Sequence, residues 1–160
     1  LANTQAICTS FKTELLTGQH VLTATNPART INTADVFKAA LFQATGTVDA
    51  TTATYTAVSA SEVTPVTGYT AGGVAVTWIA PASTPVSAST GTAYTTLSAS
   101  IAWTVTGTLG PSFDCVLIYN STQGNKAVSV HTFTAQTITN GTLTLTMPAN
   151  NSTTGLVRFA

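Results

Sequence analysis

The residues that could do acid–base chemistry are few: Glu14, Asp35, Asp49, Glu62 and Asp114, with His20 and His131. No two of the acids form a close motif, so a paired-carboxylate hydrolase would need two of them to meet by folding alone. The histidines lie far apart. A Ser-His-Asp triad tolerates that separation, but none of the 12 serines sits in a nucleophile-elbow pattern. His131 falls in a strand-like stretch, where a solvent-facing ring or one backbone hydrogen bond is expected. No His, Cys or Asp cluster has metal-ligand spacing. Gly72-Gly73 lacks the lysine and flanking pattern of a phosphate loop. The expectation is a chain with no catalytic residue, no cofactor and no metal.

Cys8 and Cys115 could close one long loop in an oxidising compartment. Cys115 runs into the apolar Val116-Leu117-Ile118, which suits a small buried hydrophobe, so two free thiols are expected. Trp78, Trp103, Tyr69 and Tyr119 would form a sugar-stacking platform if exposed. Trp78 and Trp103 sit in alternating stretches and Tyr119 ends an apolar one, which favours core placement. Asn120, Asn140, Asn150 and Asn151 each open an Asn-x-Ser/Thr triplet, but so Thr-rich a chain yields such triplets by chance.

Composition narrows the classes further. The chain has 160 residues, the length of one ordinary domain, with 36 Thr and 12 Ser against 6% charged residues. Five basic side chains balance five acidic ones. With no net charge and no basic cluster, there is no electrostatic footprint for nucleic acid and none for an anionic membrane surface. A hydrophobic content of 44% argues against disorder. No apolar run approaches the roughly 20 residues of a spanning helix. Leu1-Ala2-Asn3-Thr4 has neither the charged leader nor the apolar run of a signal peptide. A neutral, hydroxyl-rich surface suits a protein held in an assembly or exposed outside a cell.

Threonine is β-branched and favours strands, so the composition points to an all-β protein. Residues 4–17 are the one good helix segment. Ile7, Phe11 and Leu15 recur at a spacing of four, Asn3 or Thr4 can cap the start, and Gly18 can end it. That stripe packs either on the chain's own sheet or, as a helical N-terminal arm over residues 1–18, on a neighbouring subunit. Ile7, Phe11 and Leu15 are the candidate interface residues. Val36 to Phe42 reads as a buried strand. Thr45 to Ala60 reads as irregular, with room for one helical turn. Gly72-Gly73 marks a turn or bulge, and Val74, Val76 and Trp78 alternate after it. Residues 81–93 read as a loop. Ile101, Trp103 and Val105 alternate up to Gly107 and the Gly110-Pro111 break, and Phe113 to Tyr119 reads as a central strand covered on both faces. Asn120 to Asn125 is polar turn material, and Ala127 to Thr134 is another strand. Asn140-Gly141 is a strong hairpin signal, with Leu143, Leu145 and Met147 alternating beyond it. A short strand closes the chain at 155–160. Seven or eight strands with turns between them, and no fixed-period repeat, predict a single β-sandwich or jelly roll over residues 1–160 with a short N-terminal helix.

Several segments, taken in order, resemble a known group. They are Thr9-Ser10-Phe11-Lys12 leading to Glu14-Leu15-Leu16; Val36-Phe37-Lys38-Ala39-Ala40-Leu41; Gly68-Tyr69-Thr70-Ala71-Gly72-Gly73; Leu117-Ile118-Tyr119-Asn120-Ser121-Thr122 with Asn125-Lys126-Ala127-Val128; and Gly155-Leu156-Val157-Arg158. The chain is similar over nearly its whole length to small, Thr-rich virion structural proteins of tailed bacteriophages. It departs from them at Glu62-Val63-Thr64-Pro65-Val66-Thr67, which is less Gly-rich. The resemblance implies a non-enzymatic part of the virion, assembled in the host cytoplasm. A capsid decoration or cement protein fits best, bound to the major capsid protein, to other virion proteins or to its own copies as a homo-oligomer; a tail or neck component is the variant reading. The alternative of another class is an extracellular adhesin or carbohydrate-binding β-sandwich module that uses the aromatics. Buried tryptophans favour the first reading and an exposed coplanar row favours the second.

Overall fold

A computed structural model describes residues 2–16, 18–22, 34–80, 82–83 and 92–159. Its strands, in chain order, are β1 (Ala6–Ile7), β2 (Phe37–Gln43), β3 (Val74–Val76), β4 (Ala82–Ser83), β5 (Ala93–Thr95), β6 (Ile101–Asn120), β7 (Lys126–Leu145) and β8 (Val157–Phe159). Two short helices, α1 (Thr9–Leu16) and α2 (Tyr55–Val58), and a 3-10 turn at Ser59–Ser61 complete the described elements. The protein is all-β and sandwich-like. One antiparallel sheet has the order β1-β7-β6-β2-β3, and a smaller one has the order β4-β5-β8.

The long hairpin of β6 and β7, twenty residues in each strand, organises the molecule. Its second half carries the apolar run read as a central strand. From Cys115 to Asn120 every residue is buried, with β7 on one side and β2 on the other. β2 is buried almost throughout, as the Val36 to Phe42 stretch requires. In the first half of β6 burial alternates: Ile101, Trp103 and Val105 face inward, while Ala102, Thr104 and Thr106 are exposed. Both halves of the hairpin line one cleft of about 260 Å³. Ile101 and Leu145 come from one half, Val116, Ile118 and Phe133 from the other. The hairpin therefore bends over itself and supplies two layers, with register shifts at the bend between Leu109 and Cys115.

Three expectations are corrected. The strands read separately at Ile101 to Gly107 and Phe113 to Tyr119 are one strand. The Gly110–Pro111 bond is cis and lies inside β6, at a bulge where the missing proline N–H interrupts no ladder. Asn140-Gly141 is not a hairpin turn. β7 runs through it, and Asn140 (φ 49°) sits in a bulge opposite Gly107, whose N–H donates to Asn140 Oδ1 at 2.8 Å. A left-handed residue serves a bulge as well as a tight turn, and the partner strand β6 decides between them. The reversal between β6 and β7 falls at 121–125, within the polar Asn120 to Asn125 stretch expected to turn, through Gly124 (φ 65°) and Asn125 (φ 60°).

The third correction concerns the N-terminus. Residues expected to open a helix at 4 are extended: Ala6 and Ile7 pair with Val130 and Ser129, and the Cys8 N–H donates to the Val128 carbonyl. Asn3 caps no helix; its side chain accepts from the Val48 N–H and donates to the Gln43 carbonyl and to Asp114. The helix is confined to Thr9–Leu16 and ends at Gly18 (φ 68°), whose N–H donates to the Leu15 carbonyl. A few residues gain more from a ready strand edge than from a helical turn that pays nucleation entropy. Ile7 is thus in a strand. Phe11 is 1% exposed within the chain's own core, and Ile7 and Leu15 are partly buried against that core. The stripe expected of a separable arm over residues 1–18 is built into this chain's own sheet.

The helical turn allowed for within Thr45 to Ala60 is α2, capped by the Thr54 hydroxyl, which accepts from the Ala57 N–H. The loop expected over residues 81–93 lies largely outside the described residues; Ala82–Ser83 and Ala93–Thr95, at its two ends, are strands.

Candidate functional site

Three charged side chains, Glu14, Asp35 and Lys126, gather around the β6–β7 turn. Asn120, the last residue of β6, is fully buried. Its Oδ1 accepts from the Thr122 and Gln123 N–H groups, an Asx turn that fixes the amide's orientation. Its Nδ2 therefore has two protons to place. One goes to Asp35 Oδ2 at 2.7 Å, and the other points at His20 Nδ1 at 3.0 Å. With Nδ1 accepting, the imidazole proton sits on Nε2 and is donated to Glu14 Oε2 at 2.7 Å. Lys126 Nζ contacts the other Glu14 oxygen, also at 2.7 Å. The His20 ring meets the edge of Phe11 with centroids 4.8 Å apart. Burial alone would raise the Glu14 and Asp35 carboxyls. For Glu14 the bonds from Lys126 and His20 outweigh it, and for Asp35 those from Asn120, Gln123 and the Val21 N–H, so both are held below the ordinary range.

A second cluster forms around Glu62. Its Oε1 accepts from the Tyr69 hydroxyl at 2.7 Å and the Gly72 N–H at 2.8 Å, and its Oε2 accepts from the Tyr55 hydroxyl. The Tyr69 oxygen also accepts from the Leu41 N–H, tying the 62–72 loop to β2. Burial, then Glu62, pushes all three neighbouring tyrosines upward, Tyr119 to about 12. Gly68 (φ 93°) and Gly73 (φ 71°) let this loop lie directly on the strands. A Cβ at either would strike the Thr104 or the Ala39 carbonyl oxygen at under 2 Å.

Both clusters are largely internal. Glu14, His20, Glu62 and Asn120 are buried, and they bond one another, backbone, the buried Tyr69, and the partly exposed Asp35, Lys126 and Tyr55. His131 Nε2 lies 2.9 Å from Ser129 Oγ, which resembles a nucleophile–base pair, but Ser129 is fully buried and out of a substrate's reach. Desolvation pulls the half-buried His131 down to about 4, so it is neutral near pH 7. Of the two outcomes expected for it, a solvent-facing ring or one backbone hydrogen bond, the second is replaced by this side-chain partner. His131 lines an open cleft of about 620 Å³ with Ile7, Leu156 and Arg158, and the guanidinium of Arg158 is engaged by the Thr153 carbonyl. Among the described residues, no three His, Cys, Asp or Glu side chains gather as metal ligands.

Cys8 and Cys115 are buried free thiols, each pushed up to about 12 chiefly by burial. Tyr69, Trp78, Trp103 and Tyr119 are all at most 4% exposed, so they build no stacking platform. Asn120 is too buried to accept a glycan. The sequence pointed to Asn120 as the start of a polar turn and of an Asn-x-Thr triplet, not as a network centre, and neither Asp35 nor Glu62 carried a signal of its paired role.

What remains accessible is a surface. The outer halves of β6 and β7 expose threonine ranks joined across the ladder, Thr104 to Thr142 at 2.8 Å and Thr108 to Thr139 at 3.0 Å between hydroxyl oxygens. The outer edge of β7 meets β1 only at Ser129 and Val130. From Thr132 to Leu145 it has no backbone partner on that side among the described residues.

No family model matches the chain, and neither a curated protein nor a solved structure does.

Proposed function

We propose that this chain is a non-enzymatic structural component of a tailed-bacteriophage virion, of the capsid decoration or cement type. It holds to capsid subunits, or to its own copies, by shape, backbone and apolar contact. Two supports converge. Nearly the whole chain resembles small Thr-rich virion proteins, and the segments that carry the likeness are the ones that hold the fold together: α1, β2, the 68–73 loop and the β6–β7 turn. The observation that carries the reading is the division of the molecule. Glu14, Asp35, Glu62 and Lys126 are engaged in side-chain bonds within the chain, while the outer face of β6 and β7 is an uncharged threonine ribbon with an open strand edge.

The test is binding of the purified chain to phage particles assembled without it. Copies at symmetry-related positions on the head, seen by electron microscopy, are the expected result. Retention should persist up to ~1 M NaCl, where the Debye length is roughly 3 Å. Absence from the head, or release by salt without unfolding, overturns the reading.

A further inference from the structure

We propose that two copies of this chain associate edge to edge through β7, antiparallel, about a two-fold axis between Asn140 and Gly141. The proposal rests on the reading of the chain as an assembly protein and names a second copy as its partner. The segment Thr137-Ile138-Thr139-Asn140-Gly141-Thr142-Leu143-Thr144 reads nearly the same from either end. Residues opposed across an antiparallel pair point to the same face. This axis sets Thr137 against Thr144, Ile138 against Leu143, and Thr139 against Thr142. Burial agrees with that matching: the four threonines are exposed, whereas Ile138 is half-buried and Leu143 is 6% exposed. The left-handed Asn140 resets the alternation, which is why Ile138 and Leu143 share the inner face although they are five residues apart.

The occupant follows from what is left unpaired. This palindrome is the pattern of an Asn-Gly hairpin, in which Thr139 would face Thr142 and Ile138 would face Leu143 within one chain. β7 instead continues through Asn140-Gly141 as a bulged strand whose inner edge pairs with β6, so the hairpin pairing is not made in cis, and a second copy supplies it in trans at the outer edge. Strand edges are ordinarily blunted by lysine, proline, inward charge or a bulge, and here the bulge at Asn140 brings Ile138 and Leu143 to the same face. From Ala127 to Leu145 there is no Lys, Arg, Asp, Glu or Pro, so the segment opposes itself without repulsion. An eight-residue ladder is smaller than a standard interface, so a reversible dimer with Kd of ~1–100 μM is expected.

Sedimentation equilibrium of the free chain tests this apart from any particle. Wild type should dimerise. Thr137→Lys/Thr144→Lys and Thr137→Glu/Thr144→Glu should each weaken the dimer at least ~10-fold, and a 1:1 mixture of the two should recover it. Thr122→Lys, an exposed change away from this edge, should leave it intact. Thermal melts check folding, and the Thr139/Thr142 pair changed in the same way is the substitute if the first pair unfolds. A monomeric wild type, charged variants that dimerise as wild type does, or a mixture that fails to recover each overturns the proposal, whatever particle binding shows.

Discussion

The amide of Asn120 stands between two groups from distant parts of the chain, 2.7 Å from Asp35 Oδ2 and 3.0 Å from His20 Nδ1. One side chain at the end of β6 thereby sets the tautomer of His20 and joins α1, through Glu14, to the loop before β2. Asn120→Ala removes both donors and leaves a buried imidazole nitrogen and a carboxylate oxygen short of partners. Each such loss costs about 1–3 kcal/mol. Urea denaturation should show at least that loss, and an unchanged midpoint would mean that the network carries no stability.

Tyr69→Phe tests the second cluster. The hydroxyl bridges the Leu41 N–H and Glu62, and its removal leaves the buried Leu41 N–H without this acceptor and Glu62 Oε1 with the Gly72 N–H alone. A loss of about 1–3 kcal/mol is expected. Tyr55→Phe, at a half-buried ring, should cost less; the reverse order would contradict the role assigned to burial.

Phe11 is part of the core, so Phe11→Ala should destabilise by about 3–5 kcal/mol. Deleting residues 1–18 should unfold the domain, because it removes β1, Phe11 and Glu14 together. A deletion variant with a cooperative melt near that of wild type would restore the separable arm.

Stability should fall with pH in two stages. The ordinary value for His131 is 6.5 and its folded value is about 4, so the unfolded chain takes up the proton first and stability drops as pH falls from 6.5 towards 4. Glu14 and Asp35 have depressed folded values. Their contribution is complete above their ordinary values of 4.5 and 3.8, and is lost as pH falls through the folded ones. Urea titrations at about pH 7, 5 and 3 should show both stages in wild type and only the lower one in His131→Gln. A wild type equally stable at the first two pH values would contradict the upper stage.

Local chemistry was enough to determine the β-rich class, the buried β2 and central β6 segments, the free thiols and the core placement of Trp78 and Trp103. Threonine's branching and the alternation of apolar residues act within a few positions and need no partner to be read. Where two local solutions were open, a distant partner chose. Asn140-Gly141 suits a hairpin or a bulge, and the length of β6 alongside it selected the bulge. Residues 4–8 suit a helix or a strand, and the edge of β7 at Val128 to Val130 selected the strand. The polar clusters were legible least of all. Glu14, His20, Asp35 and Asn120 come from three separate stretches, and Glu62 is joined to Tyr55 and Tyr69 by a loop that must first settle on β2 and β6. Hydrogen-bond partners that far apart have no spacing rule in the chain, so only the tertiary structure could decide that Glu14, Asp35 and Glu62 are taken up in internal bonds while the outer edge of β7 stays a neutral threonine surface.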